Sequence, residues 1–565
     1  MKLLIYFSFA LVLSLSACSA GSVVPVDPIE PPVSSTLQGS FESKFIRYEK
    51  GQKHIGQTFE AQISKVWKDT VWQNDRVHRQ IILWTKNENY DKLTYEVSDL
   101  INGTHRIDAA KVRMRFPTYV FGDARALVCG EQLARTEKLI ADALVTKPVT
   151  TLTTADPIKI WLTADIPSDT PAGLYTGTFA VYSNGVIQQR FVLEFQVVNH
   201  RLPSPDEWDF HLDLWQFPFQ LAYLCTNNGQ KITPFSADYF TLVKPFYQLL
   251  ADAGQVAIST YIKDGAFNRG QTMVKWTHKT DTGWEFDYTN FDKFVEMMMS
   301  CGITKQINCF SLVGWDTSIG YYDEVSSANK RLEVAIGSDE YKAVWNTFLT
   351  SFRVHLQQKG WFDKAVLYMD EIKEEEMQAV VSMIKQHDPS WKIGLAGSYN
   401  NADVENSLYD YSTLLGYERK SNNRIATFYT SCSQKTPNNY VTPQNTPAEM
   451  TWMAWYAAAK GFDGYLRWAY DYWTQGDPMN IQDGSNTAGD FNMIYRQSNS
   501  FPNAPVSSIR MELLREGIQD YEKIRLLGKS QFNTVMQKIL LSPGGGDIAK
   551  VITESESLLK KVSVN

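Results

Sequence analysis

The rhythm of hydrophobic and polar positions changes twice along these 565 residues. From about Glu42 to Asn199, short runs such as "YEVSDLI", "KVRMRFPTYVF" and "IKIWLTADI" alternate apolar and polar positions between turn residues. A period of two is the mark of strands buried on one face. The stretch "GTFAVYSNGVIQQRFVLEFQVV" reads as a hairpin turning on Ser183-Asn184-Gly185, because Asn-Gly accepts the positive φ angles of a tight turn. An antiparallel β-sandwich over residues 41–203 follows.

After "HRLPSPDEW" the pattern becomes one of apolar strand-like runs alternating with helical stretches. The runs are "FHLDLW", "VAISTYI", "INCFSLVGW", "AVLYMDE", "KIGLAGS", "RIATFYTS" and "GYLRWAYDYW". Helices are predicted near 237–253, 291–301, 341–359, 374–386 and 447–460. Repeated strand–helix alternation means parallel strands covered by helices. With no G-x-G-x-x-G turn after the first strand, a (β/α)8 barrel over residues 204–530 fits better than an open sheet. Residues 531–565 form a C-terminal helical segment.

The first twenty residues, "MKLLIYFSFALVLSLSACSA", combine a lysine start, a short apolar run and a small-residue exit, the pattern of an export signal rather than a membrane span. Leu15-Ser16-Ala17-Cys18 resembles a bacterial lipobox. It predicts a signal over 1–17, Cys18 as the lipidated first residue, and a Pro/Ser-rich tether over 18–40. The membrane would then be met only through the lipid anchor, in the bacterial cell envelope. Cys129, Cys225, Cys301, Cys309 and Cys432 show no metal-ligand spacing. They are expected to be buried thiols, with Cys301–Cys309 the one pair close enough in sequence to consider.

Composition adds little except by exclusion. A net charge of −7 argues against nucleic acid as the main partner. Aromatic residues at 13% suit the apolar faces of sugars and equally suit a large core. No metal or organic cofactor is implied.

In a barrel, chemistry collects where strands end. Here the strand ends carry His211, Asp213, Trp215 and Gln216; Trp315 and Asp316; Asp370 and Glu371; Tyr399; Tyr429; and Trp468, Asp471 and Trp473. Five carboxylates crowd around the fourth run, in "AVLYMDEIKEEEMQAVV". Met377, Val380, Val381 and Ile384 give the following helix one buried face, so Glu374, Glu375 and Glu376 fall in its first turn, where the helix dipole favours them. Asp370 and Glu371 instead sit at the strand rim. Adjacent acids are too close to attack a glycosidic bond from opposite sides, which needs ~5–9 Å. They suit cleavage assisted by a sugar's own 2-acetamido group: one carboxyl protonates the leaving oxygen and its neighbour holds the acetamido N–H.

"LYMDE", "WAYDYW" and "SIRMELLREGIQDYEKIRLL" resemble glycoside hydrolase family 123. The resemblance implies an N-terminal β-sandwich, a (β/α)8 barrel and β-N-acetylgalactosaminidase activity on a glycan or glycoconjugate. It implies Glu371 as general acid/base and Asp370 as the residue orienting the acetamido group. Tyr399, Tyr429, Trp315, Trp468 and Trp473, with Asp213 and His211, are the candidates for the sugar site. Two alternatives stand beside it. One is a glycan-binding lipoprotein without catalysis; the other is a retaining glycosidase of different sugar specificity that uses two carboxylates from separate strands.

Overall fold

The computed structural model describes residues 36–51, 63–131, 136–265, 268, 270–280, 283–314, 317–399, 401–419, 424–484, 486–543 and 546–564. The export signal, Cys18, the tether as far as residue 35, Trp315 and Asp316 lie outside the described residues; the last part of the expected tether, from Leu37, is instead paired as the first strand of the sandwich. Among the described residues no helix is long and apolar enough to cross a membrane.

The alternating segments build two facing sheets. One has five strands in the order Leu37–Glu42, Arg76–Thr85, Ile158–Asp165, Val112–Asp123 and Glu137–Val145. The other centres on the long hairpin Gly173–Ser183 and Val186–Arg201. That hairpin turns where expected, on Asn184 and Gly185 with φ of 49° and 77°. Phe41, Trp67, Ile81, Phe179, Phe191 and Phe195 fill the space between the sheets, one face of each strand being apolar as the period of two requires.

Eight parallel strands then form the barrel: β1 (His211–Leu214), β2 (Ala257–Tyr261), β3 (Gln306–Phe310), β4 (Ala365–Asp370), β5 (Lys392–Ala396), β6 (Asp410–Leu414), β7 (Ile425–Tyr429) and β8 (Gly464–Arg467). Strand β6 is absent from the apolar runs read in the sequence. Its Asp410, Ser412 and Thr413 are buried polar groups, Asp410 and Ser412 sharing one face of the strand, so no hydrophobic run marks it. The ladder is continuous from β1 through β8 round to β2. The remaining seam, β1 to β2, is closed largely by side chains: Gln255 Oε1 accepts from Leu214 N at 2.9 Å, and Gln216 Oε1 accepts from Ser259 N at 2.8 Å. Backbone groups left open at a sheet edge are costly when buried, and these two glutamines satisfy them. At β8, a Cβ on Gly464 would meet the His211 carbonyl oxygen at 2.0 Å, so only glycine permits the closure.

The helix Ile509–Leu527 joins the two domains. Ser508 caps it by accepting from Met511 N at 2.9 Å, and its charged residues other than Arg525 are buried rather than solvated. Glu512 pairs with Arg115 at 2.7 Å, Glu516 with Lys44 at 2.6 Å, Lys523 with Asp75 at 2.6 Å and Arg510 with Asp142 at 2.9 Å. Every one of those partners comes from the N-terminal domain. On its other side, Gly517 touches the helix Ala448–Lys460, where a Cβ would lie 2.8 Å from Thr451 O. The charged run "RMELLREGIQDYEK" is therefore an interdomain ion-pair strip.

The sandwich also reaches the far side of the barrel. From the end of Val112–Asp123, Asp123 Oδ2 accepts from Ala488 N at 2.7 Å, Leu127 N donates to Thr487 Oγ1 at 2.8 Å, and Cys129 is disulfide-bonded to Cys432. This corrects the expectation of five free thiols: Cys225, Cys301 and Cys309 are free, and the bonded pair lies 303 residues apart in sequence. Cys301 and Cys309 do not pair, because Cys309 is in β3 and buried in the barrel wall. A link closing so long a loop is worth about 2–5 kcal/mol. Reduction, or Cys129→Ser, should lower the thermal unfolding midpoint by several degrees, measured by calorimetry with and without dithiothreitol; an unchanged midpoint would mean that the link carries no stability.

Candidate active site

A cavity of about 450 Å3 opens at the C-terminal ends of the barrel strands. Trp215 and Phe217 after β1, Tyr261 at the end of β2, Phe310 at the end of β3 and Trp468 after β8 give it apolar walls. Asp370 and Glu371 line it from β4 and Tyr429 from β7.

The pair at β4 depends on a local backbone event. Asp370 is still in register with Ala396 of β5, and Glu371 N donates to Ala396 O at 2.8 Å. Continuing the strand would send adjacent side chains to opposite faces. Instead Glu371 takes a left-handed conformation, φ 46°, and both carboxyls line the cavity. For a residue with a Cβ that conformation costs roughly 1–2 kcal/mol, a cost that recurs at functional positions. Glu374, Glu375 and Glu376 begin the next helix, Glu374–His387, as its first turn.

Tyr429 donates its hydroxyl to Glu371 Oε1 at 2.9 Å. Burial first, and then the Glu371 charge, push the Tyr429 hydroxyl well above the ordinary phenol range, so it stays a neutral donor. Across the cavity Asp490 is buried against Arg467 and lies 3.5 Å from Trp468 Nε1. Burial raises the Asp490 carboxyl and the Arg467 charge opposes that shift. Phe491 stands edge-on to Trp468 at 4.5 Å between ring centroids, fixing the wall.

The structure brings only some of the sequence candidates to this cavity. Asp370, Glu371, Tyr429 and Trp468 line it. Tyr399 follows β5 but is not among the lining residues; its N–H donates to the Tyr411 hydroxyl at 2.9 Å and its own hydroxyl is buried. Trp473 is a core residue, 1% exposed, with its Nε1 donating to Ile494 O at 3.1 Å. His211 and Asp213 belong to the barrel interior: β1 begins at His211 and runs to Leu214, so both lie within the buried strand and not past its end. His211 Nε2 lies 3.5 Å from Asp410 Oδ2. Asp213 accepts from Asn308 Nδ2 at 2.8 Å and Trp215 Nε1 at 3.2 Å. Burial, then the Asp410 charge, pushes Asp213 up to about 7. Asp471 is also buried, accepting from Phe217 N at 2.7 Å and raised to about 7 by burial.

Residues the sequence reasoning passed over are of two kinds. Tyr261, Lys263, Asp264 and Phe310 stand at or just past strand ends, so the strand-end rule could have found them. Asn486, Asp490 and Phe491 come from the loop after β8, which carries no local signal.

Residues 215–527 match the family model for the glycoside hydrolase 123 catalytic domain, and residues 41–183 match that for the glycoside hydrolase 123 N-terminal domain. Among solved structures, the chain is similar to a family 123 glycoside hydrolase from Clostridium perfringens: 22% identity, TM-score 0.80, covering 93% of this chain and 98% of that one. Two weaker likenesses carry no argument. A noncanonic maltogenic α-amylase AmyB from Thermotoga neapolitana has TM-score 0.32 and 10% identity, over 56% of this chain and 77% of that one. A GH5 xyloglucanase from Bacteroides ovatus has TM-score 0.25 and 9% identity, over 84% and 100%. No curated protein matches the chain. With both family models in chain order over the two observed domains, the chain belongs to glycoside hydrolase family 123 and is a glycosidase.

Proposed function

We propose that this glycosidase releases β-linked N-acetylgalactosamine from glycans or glycoconjugates by a retaining, acetamido-assisted mechanism. The supporting observation is that two carboxyls adjacent in sequence, Asp370 and Glu371, line the same cavity. The acetamido oxygen attacks the anomeric carbon as Glu371 protonates the departing oxygen. Asp370 accepts the acetamido N–H and balances the charge of the oxazolinium ion. Glu371, now a carboxylate, takes a proton from water, whose oxygen opens the ring at the same carbon and restores the original anomer. Tyr429, a neutral hydroxyl beside Glu371, is suited to donate to the acetamido oxygen, and Trp468 to wall its methyl group. The likeness to a protein described as hydrolysing glycolipid glycans agrees with a glycoconjugate substrate.

An exported, lipid-anchored location fits the Cys129–Cys432 bond, since such bonds persist outside reducing cytosol. Cys18 would carry the anchor.

Glu371→Gln should lower turnover of an aryl N-acetyl-β-galactosaminide by about 10²–10⁴-fold, the contribution of a positioned general acid, with the thermal midpoint unchanged. Asp370→Asn should be similarly impaired, and an N-acetylgalactosamine thiazoline should inhibit competitively. Full activity in Glu371→Gln would remove the assignment.

The alternative of two carboxylates from separate strands makes the opposite demand. Its second carboxylate would be one of Asp213, Asp316 and Asp471, of which Asp213 and Asp471 stand outside the cavity lining. Asp213→Asn and Asp471→Asn should each cost less than about tenfold in kcat/KM; a loss as large as that of Glu371→Gln in either would favour the two-carboxylate route. Glycan binding by the parent protein with no product released would instead favour the binding-protein reading.

A further inference from the structure

The loops after β2 and β3 carry a second small sheet that the acetamido chemistry does not use. Lys275–Lys279 and Gly283–Asp287 follow β2, Ile319–Asp323 and Ala328–Leu332 follow β3, and together they make four strands. Loops in these two positions stand over the C-terminal face of a barrel, where substrates enter.

The two faces of this sheet differ. On one, Trp276 packs on Trp345 and Phe348 of the helix Asp339–Gln358, at 5.5 and 4.8 Å between ring centroids, with Trp284, Phe286 and Tyr321 around it. That face is core. The other face meets the cavity edge at Gly320, where a Cβ would lie 2.6 Å from Asp264 Oδ2. Asp264 lines the cavity. Its carboxylate also accepts from Gly320 N at 2.9 Å and pairs with Arg331 at 2.5 Å, which ties the sheet to the cavity edge.

Tyr322 lies two residues beyond Gly320 on the same strand. It therefore projects from the same face, about 7 Å further out. Its ring is only partly buried, flanked in register by Thr277 and Asn329. Lys275 Nζ lies 5.9 Å from the ring centroid. Among the described residues, no hydrogen bond holds its hydroxyl. A partly exposed aromatic ring beside polar side chains, on the sheet face that carries Gly320 against the cavity-lining Asp264, is suited to the apolar face of a second sugar.

We infer that this face of the small sheet is a leaving-group subsite, with Tyr322 as its stacking platform. Its occupant is the sugar ring attached to the one held over Asp370 and Glu371. Phe310, Trp215 and Leu466 are among the residues that wall the cavity on the barrel side, whereas Asp264, which the sheet holds, lines it on the side of the loop after β2, the side assigned here to the remainder of the glycan. This inference rests on the N-acetylgalactosaminide reading and adds to it a preference for oligosaccharides over simple glycosides.

The test compares two substrates, an aryl N-acetyl-β-galactosaminide and an oligosaccharide ending in β-linked N-acetylgalactosamine. In Tyr322→Ala the oligosaccharide-to-aryl ratio of kcat/KM should fall about tenfold, mainly through KM, as loss of one stacked ring implies. Tyr322→Phe should restore the parent ratio, because the ring and not the hydroxyl does the stacking. A merely structural role for Tyr322 would lower both substrates together and leave the ratio unchanged, which overturns the subsite. If the parent protein cleaves neither substrate, the N-acetylgalactosaminide reading fails and the subsite fails with it. Cleavage of both with an unmoved ratio defeats the subsite alone.

Discussion

The arrangement of the whole molecule depends on buried ion pairs along one helix. Ile509–Leu527 runs between the sandwich and the barrel with Arg510, Glu512, Glu516 and Lys523 all buried. A buried charge without a partner costs several kcal/mol, and here each partner, Asp142, Arg115, Lys44 and Asp75, is supplied by the sandwich. The barrel thus cannot bury its own last helix alone. With the sandwich fixed in that position, its strand ends lie against the loops after β7 and β8, where Cys432, Asn486 and Asp490 line the cavity. The sandwich thus helps to set part of the cavity wall.

Within the barrel the decisive detail is smaller. The strand period would place neighbouring side chains on opposite faces, and the left-handed backbone at Glu371 defeats that rule at one position. That backbone energy brings two acids to one side of the same cavity, as the proposed mechanism requires. Tyr429, reaching Glu371 from β7, links the pair to the far wall. A glycosidase with acids on opposite sides of the bond needs no such turn.

How much of this was legible in the sequence follows from what each feature depends on. The hairpin at Asn184-Gly185, the amphipathic helices and the Asp370-Glu371 rim were readable because each is fixed by neighbours within a few residues. Strand β6 was not, since Asp410 and Ser412 face a polar barrel interior and erase its apolar signature. The same polar interior misled in the other direction for His211 and Asp213, which looked like rim residues and are bound within the barrel by Asp410 and Asn308. Trp473 looked like a sugar platform and is core. The Cys129–Cys432 bond and Asp490 depend on contacts hundreds of residues apart or on a long loop, and nothing local announces either.

The sandwich arm has a consequence for how such a protein can change over time. Asp123, Leu127 and Cys129 grip the same loops that line the cavity, so the N-terminal domain is not an interchangeable module. A sandwich borrowed from another chain would have to bring a cysteine at the arm's tip and a carboxylate for Ala488, or the rim would lose its shape. Substitutions that retune the cavity wall are therefore constrained by a surface more than 300 residues upstream, and the two domains are bound to vary together.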